Sequence, residues 1–170
     1  MKKNSIIILL FTLLTSSNLF CQITFKTVRG TKANYSISIP DNYFIKETIG
    51  GNVDIKYANL EGASIITVIR ILPDGVTEND IQQMNTPTDQ EFVNALESNG
   101  LQNVSVIKRG FLIINGINSY FAYYKDTELY YHTITQFRKS KLINLTYTCE
   151  YSKKSLYMPY IFRVVNSLKS

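Results

Sequence analysis

Two side chains in this 170-residue chain have the chemistry of a nucleophile and its base, Cys149 and the one histidine, His132. A thiol–imidazole dyad needs them facing each other on neighbouring strands with the sulfur accessible. The surrounding pattern points elsewhere. Cys149 closes the alternation Ile143, Leu145, Tyr147, Cys149, whose intervening Asn144, Thr146 and Thr148 are polar, so period-two geometry puts the sulfur on a core face. His132 shares its strand face with Tyr130, Ile134 and Gln136 and reads as a packed residue. The acids Glu47, Asp54, Glu61, Asp74, Glu91, Asp126, Glu128 and Glu150 fall mostly in turns and helix starts. Nothing in the sequence selects a pair of them to be held across a cleft as glycoside hydrolysis requires. The chain has no glycine-rich phosphate loop, Cys-x-x-Cys or Gly-x-Ser-x-Gly. The sequence thus predicts no catalytic residue, metal site or cofactor.

Tyrosine stands above background, with 12 in the chain and Tyr120, Tyr123, Tyr124, Tyr130, Tyr131, Tyr147 and Tyr151 close together. A tyrosine offers an apolar ring and a polar tip at low entropy cost, which suits recognition. The same residues also stabilise antiparallel sheets by cross-strand pairing. Tyr120 and Tyr124, with Tyr130 opposite them, are placed on one strand face and are the predicted partner-binding residues.

The elements that must position these residues follow from periodicity and turn chemistry. Tyr35, Ile37 and Ile39 alternate with serines up to Pro40-Asp41, a short first strand. Val53, Ile55 and Tyr57 begin a second strand that pairs, across Glu61-Gly62, with the β-branched run from Ala63 to Leu72. That run is apolar on both faces, which predicts a central strand covered on both sides. Thr77 caps a short helix reaching Met84, and Thr88 caps a second that carries Phe92, Ala95, Leu96 and Asn99 and ends at Gly100. Strands are then predicted over 103–108, 111–114, 117–125, 128–138 and 142–149. Asn115-Gly116 gives the strongest hairpin signal, because a type I′ turn needs positive φ at both centres. Tyr157, Ile161, Val164, Val165 and Leu168 form one helical stripe. Ser155 as its N-cap leaves Pro159 in the first turn.

Composition narrows the class. Hydrophobic residues make up 45% and charged residues 18%, enough apolar surface for a real core and too little charge for a solvating tail. Lys2 and Lys3 precede an apolar stretch from Ile6 to Leu14, a polar segment, and then Cys21-Gln22, the layout of a signal peptide. The stretch is too short to span a bilayer as a helix, which takes roughly 20 residues. Cleavage after Cys21 makes residues 1–21 the leader and 22–170 a single domain, secreted or periplasmic. The alternative is a lipid anchor on Cys21, against which stand the bulky Leu19 and Phe20. Loss of the leader removes two lysines and no acid, so 16 basic residues face 13 acidic ones. With basic residues clustered only at Lys108-Arg109, 138–141 and Lys153-Lys154, each read as a turn or helix start, nucleic acid is excluded as a partner.

In three stretches, 35–44, the run Val106–Gly116 leading to Tyr120, and 142–168, the chain resembles the PsbP-like superfamily. That superfamily includes the extrinsic photosystem II protein, a Ran-binding import factor and bacterial exported proteins of the DcrB type. The resemblance implies an α+β fold, an α/β/α sandwich with a central antiparallel sheet flanked by helices. It also implies a noncatalytic protein-binding or assembly factor of the envelope or exterior, acting through a sheet face or the loop near Pro87, with a small-molecule carrier or a small hydrolase or thiol enzyme as the alternatives. It transfers no site residue.

Overall fold

The computed structural model describes residues 23–84 and 88–169. The predicted leader and cleavage site, residues 1–22, and Pro87 lie outside the described residues. The elements run β1 (Phe25–Arg29), β2 (Ser36–Pro40), β3 (Phe44–Ile45), β4 (Val53–Ala58), β5 (Ser64–Ile71), α1 (Glu78–Met84), α2 (Asp89–Ser98), β6 (Ser105–Ile114), β7 (Ile117–Lys125), β8 (Leu129–Arg138), β9 (Lys141–Glu150), a 3-10 turn (Tyr151–Lys153) and α3 (Lys154–Asn166). Seven strands form one antiparallel sheet in the order β3-β4-β5-β9-β8-β7-β6, and β1 with β2 forms a separate antiparallel ribbon.

The sheet is the middle of three layers. On one face lie α3 and the ribbon, which seal the core: Tyr35 just before β2, Ile37 and Ile39 within it, and Tyr157, Ile161, Val164 and Val165 from α3, pack on Ile65, Ile134, Ile143, Leu145 and Tyr147. The predicted helical stripe is buried in full, including Leu168 beyond the helix end. Ser36 and Lys169 exchange backbone hydrogen bonds of 2.6 and 3.0 Å, which ties ribbon to helix. On the other face α2 lays Phe92 against Tyr124, and Ile81 of α1 borders a small cavity beside Phe111 and Tyr120. The chain is an α+β, three-layered sandwich about an antiparallel sheet.

The local signals explain these positions. Thr88 and Glu91 cap the start of α2 reciprocally, the Glu91 amide donating to Thr88 Oγ1 at 3.2 Å and the Thr88 amide to Glu91 Oε2 at 2.7 Å. Asn115 and Gly116 take φ of 49° and 78°, the type I′ turn their sequence predicts. From that turn the Asn115 amide also donates to the carbonyls of Asn166 and Leu168, at 3.0 and 2.9 Å, capping the end of α3.

Five expectations are corrected. The stretches 103–108 and 111–114 are one strand, β6, because Gly110 continues the ladder opposite Phe121 and only a bulge near Val106 interrupts the register. Lys108 and Arg109 are therefore strand residues rather than a turn. The strand β5 is interior, yet only its ribbon-side face is sealed. Its other face is half-buried, with Ser64, Ile66 and Val68 set opposite the polar Thr148, Thr146 and Asn144 of β9, and Ser64 meets Thr148 at 2.6 Å. The helix α3 starts at Lys154, directly after the 3-10 turn, so Pro159 falls in its second turn, on an exposed side where water serves the carbonyl it leaves unbonded. Finally, β1 and β3 are strands that periodicity did not reveal.

Candidate interaction site

Successive side chains of β7 point to opposite faces. Tyr120, Ala122 and Tyr124 look toward α1 and α2, and Phe121 and Tyr123 toward α3. Tyr124 is 7% exposed, with Phe92 edge-on at 5.7 Å and Tyr131 of β8 stacked on it at 4.7 Å and 8°. Burial raises its phenol pKa. Tyr131 in turn donates to Asp126 Oδ2 at 2.7 Å, while Asp126 Oδ1 accepts from the Glu128 and Leu129 amides at 2.9 and 2.7 Å. Burial alone would push the Asp126 carboxyl up, but these donors hold it below its ordinary value. Tyr124 is thus a packing residue. Tyr124→Leu is expected to lower stability by about 1–3 kcal/mol through its two lost ring contacts; chemical denaturation measures this, and an unchanged midpoint would show that α2 is not held there.

Tyr130 lies on the other face. The β7–β8 turn sets Lys125 opposite Tyr130 and Tyr124 opposite Tyr131, so Tyr130 enters the core at 1% exposure, across from Cys149. Tyr120 alone of the three reaches the surface. Its hydroxyl accepts from Arg109 Nη1 at 3.3 Å and its ring meets Phe111 at 5.5 Å. Arg109 is fixed from both sides, in an ion pair with Asp89 and 5.6 Å over the Phe92 ring.

This places the surface feature on the neighbouring strand. The strand β6 is the open edge of the sheet and ten residues long, whereas the opposite edge, β3, has two. Ile107, Phe111 and Ile113 of β6 are 42%, 41% and 75% exposed. In a two-residue hairpin the pair flanking the turn, Ile114 and Ile117, is hydrogen-bonded, and bonding alternates from there. The amides of Phe111 and Ile113 consequently point away from β7 and, among the described residues, face no further strand. A long apolar edge with outward-pointing donors is a template for another strand.

His132 and Cys149 are both fully buried on the α3 face. The imidazole lies 3.9 Å from the Tyr123 ring and 5.9 Å from that of Phe162, and neither ring nitrogen has a hydrogen-bond partner. Burial depresses its pKa to about 3. The Cys149 thiol is pushed up to about 11, chiefly by burial, with Glu150 adding to it. Their registers differ, His132 opposite Tyr147 and Cys149 opposite Tyr130, and a protonated, sealed thiol is no nucleophile.

The same three layers occur in solved structures. Cyanobacterial PsbP from Synechocystis sp. PCC 6803 superposes with a TM-score of 0.67 at 15% identity, covering 86% of this chain and 92% of that one. The chain has the PsbP fold. LpqN of Mycobacterium tuberculosis, a protein involved in cell envelope biogenesis, matches with a TM-score of 0.55 at 10% identity, over 87% of this chain and 91% of its own. No family model matches the chain, and no curated protein matches it in sequence.

Within the PsbP fold the sequence reading missed the edge itself. Ile107, Phe111 and Ile113 carry its signal, odd-numbered apolar residues on a strand whose even positions are also largely apolar. Periodicity cannot say which strand is outermost. That is a property of topology: β8 pairs with β7, which leaves β6 outermost.

Proposed function

We propose that this protein is an exported, noncatalytic accessory factor of the cell envelope or exterior, and that it docks an extended segment of a partner protein along β6. The observation that carries this reading is the open ten-residue edge with three exposed large hydrophobics. Main-chain donors supply affinity in such strand addition, and side-chain pockets on the new strand's path supply specificity. Phe111, Tyr120 and the Arg109–Asp89 pair line that path. The leader-like residues 1–21 support export, and the burial of His132 and Cys149 supports a noncatalytic role. The likeness in fold to LpqN of Mycobacterium tuberculosis, a protein involved in cell envelope biogenesis, supports the envelope-associated part of this reading.

Ile113→Pro tests it. Proline removes an outward amide without breaking the β7 ladder, and edge positions tolerate it. A photo-crosslinking side chain at position 111 is expected to trap one partner protein in native cells, and Ile113→Pro to reduce that adduct by about tenfold, the equivalent of one lost charge-free contact set of roughly 1.4 kcal/mol. An adduct unchanged by Ile113→Pro in a folded protein sinks the edge as the site, and a self-adduct would assign it to a second copy.

A further inference from the structure

The turn between β4 and β5 leans on the first turns of α3 and encloses a cleft of about 210 Å³ bordered by Tyr43, Asn59, Glu61, Leu156, Tyr157 and Tyr160. At roughly 30 Å³ per water that is room for about seven heavy atoms. The rings of Tyr157 and Tyr160 stand 6.2 Å apart at 59°, two walls meeting at an angle. Tyr43, at 2% exposure, is anchored below by a hydroxyl–hydroxyl contact with Tyr147. Leu156 is 60% exposed at the mouth.

The polar atoms are held in place. Asn59 Oδ1 accepts from the amides of Glu61 and Ala63 at 3.0 and 2.9 Å, which fixes the turn. Asn59 Nδ2 donates to the Tyr157 hydroxyl at 3.0 Å, and that hydroxyl donates to Glu61 Oε2 at 2.7 Å. Burial and then this carboxylate raise the Tyr157 phenol to about 12, so it remains a donor at neutral pH. Glu61 brings a negative charge to the cleft. Among the described residues no lysine or arginine lines the cleft, and neither ion pair includes Glu61.

We propose that this cleft binds an organic cation, an alkylated ammonium of choline size. Tyrosine rings attract a cation through their quadrupole, and the Glu61 carboxylate, which no ion pair among the described residues includes, supplies its countercharge. An anion would face Glu61 at close range. A neutral sugar would leave the carboxylate without a countercharge. The site is independent of the β6 edge, which lies at the opposite end of the sheet from β4.

The experiment is a pair of titrations of the purified protein, one with choline and one with its neutral carbon isostere 3,3-dimethylbutan-1-ol, followed by amide chemical shifts. Choline is expected to bind saturably at about millimolar concentration, and the isostere about tenfold or more weakly. Glu61→Gln, at an exposed turn position that leaves the fold intact, is expected to weaken choline about tenfold and leave the isostere unchanged. Tyr160→Leu is expected to weaken choline as well, because it removes one ring wall and keeps apolar volume. Equal binding of choline and isostere would make the cleft a merely apolar crevice and overturn the proposal. So would an absence of saturable choline binding, preferential binding of glucose, or a Glu61→Gln variant that binds choline as the wild type does.

Discussion

Gly30→Ala is expected to remove a large share of the protein's stability. Gly30 follows β1, and its amide donates to the Tyr35 carbonyl at 2.9 Å as the ribbon turns. A Cβ there would fall 2.0 Å from Tyr35 Cε1, 2.5 Å from Cζ and 2.6 Å from Cδ1. No rotation frees the ring, because Tyr35 is 3% exposed and tethered by its hydroxyl, which donates to Asp54 Oδ2 at 2.8 Å and lies 2.5 Å from Thr67 Oγ1. Either the ring leaves the core or the ribbon lifts from the sheet. Displacing a buried aromatic costs on the order of 4 kcal/mol, and Thr67, fully buried, would lose a partner besides. Against a typical stability of about 5–15 kcal/mol that is a large share. Gly51→Ala is the matched control: nothing lies within 4 Å of its added methyl, and little change is expected. Equal denaturation midpoints for the two variants would refute the account of the ribbon.

The same ribbon shows where the sequence was legible and where it was not. Tyr35, Ile37 and Ile39 alternate with serine because one face of β2 is sealed and the other is not, so period two survives in the residues. The strand β1 has only Phe25 and Val28 half-buried and no alternation, since it lies at the outside of the ribbon and is held by pairing with β2. Local chemistry was also readable: the Thr88 and Glu91 cap, the Asn115-Gly116 turn and the stripe of α3 each involve residues within a few positions of one another. Register was not. Tyr130 was set beside Tyr120 and Tyr124, yet strand parity across the β7–β8 turn depends on how many residues the turn contains, and a shift of one exchanges the faces. Asp126, whose carboxylate binds the Glu128 and Leu129 amides, fixes that count and brings Tyr131 rather than Tyr130 over Tyr124. The cleft at Tyr157 was illegible for a different reason. Its walls come from positions near 43, 60 and 157, and only the sheet order β3-β4-β5-β9 brings them together. Candidate sites assembled from such distant positions leave no spacing for a motif to record.

His132→Phe is expected to stabilise the protein, and increasingly so in acid. At neutral pH the buried imidazole is uncharged, and both of its nitrogens lack partners, each costing about 1–3 kcal/mol relative to a satisfied group. Phenylalanine keeps an aromatic ring between Tyr123 and Phe162 and removes both atoms. The pH dependence follows from linkage. An unfolded histidine titrates near pH 6.5 and the folded one at about 3, so between those values the unfolded chain binds the extra proton. Stability contributed by keeping His132 neutral is therefore full above pH 6.5, falls as the pH drops through the window and is lost near pH 3. At pH 4.5 the loss is on the order of 3 kcal/mol, and at the bottom of the window on the order of 4 kcal/mol. Asp54 and Asp126, whose hydrogen-bonded carboxyls are held below their ordinary values against the upward push of burial, lose stability in the same direction as they protonate. Wild type alone cannot apportion the effect, but the difference between wild type and His132→Phe can, because the carboxylates are common to both. Urea denaturation at pH 7.5 and 4.5 should show that difference widening by about 3 kcal/mol on acidification. A constant difference would mean that the imidazole is already hydrated or paired in the native state. A widening one would establish the neutral imidazole beneath α3, held between Tyr123 and Phe162, as a source of the fold's acid sensitivity.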